Sequence, residues 1–231
     1  MKKLVAGLIA VATIASVAVA EEVFSKNAVG FINIDVTEED VTAGTMYALS
    51  VPFLNMNATD GSWNFKDLDL ATAAPAGSYV YFWGGADGWS QVQKRAAAGK
   101  EWSNGNHVLK PGELFFFKPT TAMTIVMSGE VPADDEIDVE VEAGKNLSAI
   151  ANPYPTELPF ADSALSINAQ SGSYVYFWDT AAGWKQVQKR GAVGTKFNTS
   201  EKVKPGTGFF FKGTDKSEET SWTVEKEYSF P

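Results

Sequence analysis

Two short runs carry the residue types best suited to holding a flat ligand: Tyr79-Val80-Tyr81-Phe82-Trp83 and Tyr174-Val175-Tyr176-Phe177-Trp178. In a strand, successive side chains point to opposite faces, so Tyr79, Tyr81 and Trp83 share one face, and Tyr174, Tyr176 and Trp178 do the same. Such rings stack on planar ligands such as sugar rings while their polar tips hydrogen-bond. Gln91 and Gln93 on the following strand, and Gln186 and Gln188 in the second run, supply amide donors and acceptors. Trp89 and Trp184 stand at the intervening turns. The competing expectation for the same rings is a core whose tyrosine hydroxyls reach the edge, the commoner fate of aromatics. The balance is a core role for most rings, with Trp89 and Trp184 as the exposed pair.

Other chemistry is sparse. The chain has no Cys and a single His, His107, set in the polar loop Ser103-Asn104-Gly105-Asn106, where an exposed, non-catalytic residue is expected. No G-x-S-x-G nucleophile turn is present. A glycoside hydrolase needs only two carboxylates, but the acids here fall in strand exteriors and turns that differ between the two runs. Asp134-Asp135-Glu136 and Asp67-Leu68-Asp69 lack the spacing of a calcium loop; they read as solvated turns that keep strand edges soluble. No catalytic residue, metal ligand or cofactor is expected.

The elements that must position the rings repeat at an offset of 95 residues. Between 78–95 and 173–190, 14 of 18 positions are identical, through Gly88-Trp89 and Gln91-Val92-Gln93-Lys94-Arg95 and their second copies. Each run reads as a strand, a turn and a second strand. Around it lie a first strand over 28–36 with Ile32, Ile34 and Val36 on one face, a turn at Glu38-Glu39-Asp40, and a strand over Thr45–Val51. A loop-like stretch follows over 54–77, with Trp63 and Phe65 as plugs. After the hairpin, Pro111-Gly112 marks a turn. Leu114-Phe115-Phe116-Phe117-Lys118 then reads as a strand buried on both faces, and Met123–Met127 as a last strand. The second copy opens on Ile137, Val139 and Val141 alternating with acids, and ends with Pro205-Gly206, Phe209-Phe210-Phe211 and Trp222-Thr223-Val224. No long amphipathic helix is visible. Short strands with Gly/Pro turns predict β-sandwich modules.

Lys2-Lys3, an apolar run over Leu4–Val19 and Ala18-Val19-Ala20 before Glu21 make a secretory signal peptide over 1–20. The apolar run is short for a membrane span, and a chain without Cys has no lipobox. The full chain of 231 residues carries a net charge of −9. Removal of the two leader lysines leaves 17 bases against 28 acids, which disfavours nucleic acid and anionic membranes as partners.

The order Asn146-Leu147 with Asn152-Pro153-Tyr154-Pro155, then Tyr174-Val175-Tyr176-Phe177-Trp178, then Pro205-Gly206-Thr207-Gly208-Phe209-Phe210-Phe211-Lys212 resembles a domain family of secreted bacterial surface proteins common in Bacteroidetes and Verrucomicrobia. Asn27-Ala28-Val29-Gly30-Phe31 is similar to its usual mature start. The first repeat departs from the pattern at Val51-Pro52-Phe53 and at Leu114. The resemblance implies a β-sandwich, export and a surface location, and supplies no catalytic residues.

The expectation is therefore an all-β protein of two tandem β-sandwich repeats packed together: a signal peptide at 1–20, repeat one at 21–132 and repeat two at 133–231. The function expected is non-enzymatic binding at the cell surface or outside it, with a glycan or other cell-surface polymer as partner. The alternatives are a self-associating envelope or matrix subunit and, behind it, a glycoside hydrolase. No transmembrane segment is expected after cleavage.

Overall fold

The computed structural model describes residues 28–95, 102–103, 105–217 and 220–229. The signal peptide and the Asn27 start lie outside these residues, as does most of the polar loop over 97–107.

The first half contains β1 (Val29–Val36), α1 (Glu38–Ala43), β2 (Tyr47–Leu49), β3 (Trp63–Asn64), α2 (Asp69–Ala73), β4 (Tyr79–Trp83), β5 (Trp89–Gln93), β6 (Val108–Leu109), β7 (Phe115–Lys118) and β8 (Met123–Glu130). The second half contains β9 (Glu136–Val141), β10 (Leu147–Ala151), β11 (Leu158–Pro159), α3 (Ala164–Asn168), β12 (Tyr174–Asp179), β13 (Gly183–Gln188), β14 (Lys202–Val203), β15 (Gly208–Lys212) and β16 (Thr220–Glu225). The fold is all-β, with antiparallel sheets and short helices.

One strand order runs through both halves. A four-stranded sheet, β2-β7-β4-β5 in the first and β10-β15-β12-β13 in the second, is accompanied by a long ribbon, β1-β8 or β9-β16, and a short one, β3-β6 or β11-β14. The long ribbon covers the inner face of its sheet. In the first half Val36, Ile125 and Met127 pack with Leu49, Val80, Phe82, Phe115 and Phe117. In the second, Val139, Val141, Trp222 and Val224 pack with Ile150, Val175, Phe177, Phe209 and Phe211. The alternation expected of β1 and β9 holds: their acids and other polar residues face solvent.

Three segments depart from the sequence reading. Glu38-Glu39-Asp40 opens a helix rather than a turn. Thr37 accepts from the Asp40 amide, the Asp40 carboxylate accepts from the Thr37 amide, and Gly44 ends the helix at φ 70°. The strand expected over Thr45–Val51 is confined to Tyr47–Leu49. The loop-like stretch 54–77 contains β3 and α2. Its plugs are Phe65, fully buried, and Trp63, half-buried against the same core with Nε1 donating to Phe53 O at 2.9 Å; Phe160 fills the role of Phe65 in the second half. From Pro52 to Phe65 is 13 residues, from Pro153 to Phe160 only 7, so the length difference between the halves lies in the turns over 54–62.

The helices α2 and α3 are held by lysines. Lys94 and Lys189, the Lys of each Gln-Val-Gln-Lys-Arg run, are buried. Lys94 Nζ donates to the carbonyls of Ala71 and Thr72, each at 2.8 Å. Lys189 Nζ donates to those of Ser166, Ile167 and Thr195 at 2.5–2.9 Å. Each ammonium satisfies carbonyls at a helix C-terminus, where positive charge is favoured. Burial holds the Lys189 pKa below the usual lysine range.

The junction between the halves is pinned. Tyr154 Oη donates to Asp134 O at 2.9 Å and Tyr228 Oη to Pro132 O at 2.6 Å, while Lys226 Nζ reaches Ala133 O and the Asp135 carboxylate. Burial raises both phenols, with Tyr228 reaching about 12. Protons held more tightly in the folded state give stability that is complete below the ordinary phenol pKa of about 10 and is lost as pH rises through the raised values. Melting temperature should therefore fall between pH 10 and 12, in step with tyrosinate absorbance, and less steeply in Tyr228→Phe; a flat profile would refute the assignment.

Lys189→Met leaves three carbonyls without their donor, and should cost about 2–3 kcal/mol in chemical denaturation. The same change at the exposed Lys185 should cost within about 0.5 kcal/mol.

Candidate functional site

The two four-stranded sheets meet through their outer faces. Phe116 and Phe210, one from the central strand of each sheet, stack with centroids 6.4 Å apart and planes at 12°. Ala48, Leu114, Phe116 and Phe210 form the buried part of this contact, with Tyr81, Trp83, Tyr176 and Trp178 packed around it. The contact is reciprocal. Trp83 Nε1 donates to Leu147 O and Trp178 Nε1 to Met46 O, each at 2.7 Å. Trp83 meets Phe210 edge-on at 5.6 Å, and Trp178 meets Phe116 at 5.4 Å. The Ser50 amide donates to Gly206 O at 2.9 Å, and that of Ala151 to Gly112 O at 2.7 Å.

Sheet register carries the remaining candidates away from this contact. Tyr79 pairs with Gln93, Tyr81 with Gln91 and Trp83 with Trp89. Tyr174 pairs with Gln188, Tyr176 with Gln186 and Trp178 with Trp184. Directly opposed residues share a face, so all four glutamines lie beside the tyrosines, while Val92 joins the inner core with Val80. Exposure is graded along each hairpin. Trp83 and Trp178 are half-buried, as are the tyrosines; the glutamines are exposed. Trp89 and Trp184 are 45% and 46% exposed.

Trp89 and Trp184 flank the stacked phenylalanines, each touching both rings edge-on at 5.3–5.7 Å. Between them opens a groove of about 440 Å³ lined by Met46, Tyr81, Trp89, Gln91, Phe116 and Trp184. Its walls therefore come from both halves. Tyr79 and Tyr81 continue it as a near-parallel pair 6.3 Å apart, matched by Tyr174 and Tyr176 at 6.2 Å. Gln93 Nε2 donates to Tyr79 Oη at 2.8 Å. Burial, and then the neighbouring tyrosine, raises the Tyr81 and Tyr176 phenols, so both stay neutral hydroxyls at ordinary pH. Stacking rings, half-exposed indoles and amides are the groups that bind uncharged flat surfaces bearing hydroxyls.

A second cleft, of about 570 Å³, lies between β9 and the Pro111-Gly112 turn and holds Asp60, Glu113, Asp138, Glu140 and Glu142. Several of these acids already have partners. Glu113 takes His107 Nε2 and the Lys110 amide at 3.0 Å each, Glu140 pairs with Lys110, and Asp60 accepts from Ser62. His107 is thus not an exposed loop residue: it is half-buried, paired with Glu113 and stacked on Phe82 at 3.8 Å. Asp135 is engaged by Lys226, and Asp69 accepts from Ser128 Oγ at 2.9 Å. Among the described residues no group of three or more His, Cys, Asp or Glu is placed to hold a metal ion. No described helix is long and apolar enough to cross a membrane.

Comparison with protein-family models, with curated proteins and with solved structures finds no significant match.

The gradient of burial separates two roles within one motif. Trp83→Ala and Trp178→Ala each remove an indole that packs and hydrogen-bonds across the halves, and should cost about 3–5 kcal/mol. Trp89→Ala and Trp184→Ala should cost about 1 kcal/mol each. Denaturant melts of the four single variants measure this; equal losses at Trp83 and Trp89 would contradict it.

Proposed function

We propose that the protein is an exported, non-enzymatic binding module that holds a glycan in the groove between Trp89 and Trp184. One observation carries the reading: exposed positions on the aromatic face are identical in both halves, and the exposed strand position beside them on the opposite face is not. Trp89, Gln91 and Gln93 recur as Trp184, Gln186 and Gln188, all exposed. Ser90 and Lys185, also exposed but between them on the other face, differ. Core packing accounts for shared Val, Phe and Lys, and a hydrogen bond to Tyr79 engages Gln93, but core packing does not account for the exposed glutamines as a set. Two half-exposed indoles beside a ring-lined groove supply the affinity, and the glutamines supply hydroxyl recognition. The leader pattern of residues 1–20 supports export. The partnered state of several acids in the second cleft supports a non-enzymatic role.

A self-associating envelope or matrix subunit is the second reading, favoured by Val29 and Phe31. These are 65% and 70% exposed on the outer face of β1. Two exposed apolar side chains on one strand face can contribute to pairing with another chain.

A glycan array with residues 21–231 tests the first reading. Binding should appear and fall at least tenfold in Trp89→Ala/Trp184→Ala, measured at a temperature where the double variant, destabilised by about 2 kcal/mol, is still fully folded. No binding, or binding untouched by the double variant, would defeat it. Sedimentation of the same material over a wide concentration range tests the second: assembly lost in Phe31→Ser supports it, and a strict monomer removes it.

A further inference from the structure

Resting on the glycan reading, we infer that the aromatic face selects an acidic polysaccharide, one whose sugar rings carry carboxylates. The argument comes from the charges that share the face. Register places Lys118 beside Tyr79, and Lys212 beside Tyr174. Arg95 and Arg190 stand just past the ends of β5 and β13, after the buried Lys94 and Lys189. Lys118 and Lys212 are the charged residues that strand register puts on the aromatic face, and an arginine stands just past the strand end in each half. All are basic, in a chain with 28 acids and 19 bases.

Five lysines elsewhere are engaged by acids, Lys110 with Glu140, Lys145 with Asp215, Lys185 with Glu201, Lys196 with Asp162 and Lys202 with Glu157, so what distinguishes the four cations is their place beside the aromatic face. Lys118, Lys212, Arg95 and Arg190 have no ion pair among the described residues. Arg95 and Arg190 are exposed, and the two lysines are half-buried at the outer edge of the tyrosine pairs. Each half therefore presents the same series: an indole, a tyrosine pair with its glutamines, and then two unpaired cations.

A neutral glycan has no use for the cations. An anionic polymer must overcome repulsion from a chain of net charge −9, and a local basic end on a stacking surface is the means of doing so. Carboxylates spaced by sugar rings would meet tyrosines first and cations beyond. Single-stranded nucleic acid also stacks on aromatic rings, but it carries a charge on every unit, and two cations per series are few for it.

Polygalacturonate and its fully methyl-esterified form share one backbone and differ in charge. Alginate and its ester make a second such pair. Affinity electrophoresis and titration calorimetry with residues 21–231 should show at least tenfold tighter binding of an acid form than of its ester at low salt. The difference should collapse in 0.5 M NaCl through screening. Lys118→Gln/Lys212→Gln, with an unchanged melting curve, should lose about tenfold on the acid form and nothing on the ester. Acid and ester bound alike, or a double variant without effect, would overturn the inference while leaving the glycan reading intact. Oligothymidylate bound more tightly than either acid polymer would also overturn it. Binding of neither acid nor ester in both pairs would overturn the inference, and a blank neutral-glycan array would then remove the glycan reading as well.

Discussion

The stack of Phe116 on Phe210 is the contact on which the rest of the arrangement depends. Each ring sits on the central strand of its sheet, on the face turned away from that half's own core. A Phe-Phe-Phe strand cannot face water on either side without a large apolar penalty, so the outer face needs a cover. In this chain the cover for each half is the other half. The indole N–H groups of Trp83 and Trp178 find backbone carbonyls only across the contact, which gives the packing a fixed register as well as area.

That register also settles the sheet edges. β2 and β10 are edge strands, and an open edge is a template for association. The Ser50 amide is taken up by Gly206, and β10 is bridged by the segment before β7 through Glu113 and Ile150. One departure from symmetry in this region concerns packing volume. Leu114 is fully buried where the second half has Gly208. A Cβ on Gly208 would lie 2.7 Å from Ile150 O and 2.9 Å from Leu114 Cδ1. The large residue of one half thus uses the space left by the small residue of the other, a complementarity that two identical halves could not achieve.

Much of this was legible in the sequence, and the gaps have physical causes. Period-two alternation located β1, β4, β9 and β12 and the faces of their residues, because one side of each strand meets a core. The exposure of Trp89 and Trp184 followed from their place at the turns. The helices α2 and α3 are not legible in the sequence because five-residue helices have no room for an amphipathic period. Their stability comes from Phe65, Phe160 and the distant Lys94 and Lys189. A lysine in a Gln-Lys-Arg run reads as surface, and only tertiary structure shows the carbonyls that draw it inward. His107 was misread for a similar reason: its partners, Phe82 and Glu113, come from other segments. The choice between core and ligand face had no local answer, since the core in question lies between the halves.

The same geometry joins binding to the integrity of the pair. Trp89 belongs to one half and Trp184 to the other, yet each touches both Phe116 and Phe210. A ligand seated on both indoles contacts an object that exists only while the halves are docked. Binding to the docked form alone adds its free energy to the docking equilibrium by mass action, so a bound polymer holds the halves together without touching either inner core. The Phe116–Phe210 stack and the hydrogen bonds of Trp83 and Trp178 across the contact keep the two indoles at a fixed separation in the absence of any ligand. Preorganisation of this kind lowers the ordering cost of binding. Much of the aromatic surface thus holds the groove's two walls in place, and the remainder is what the proposed glycan would meet.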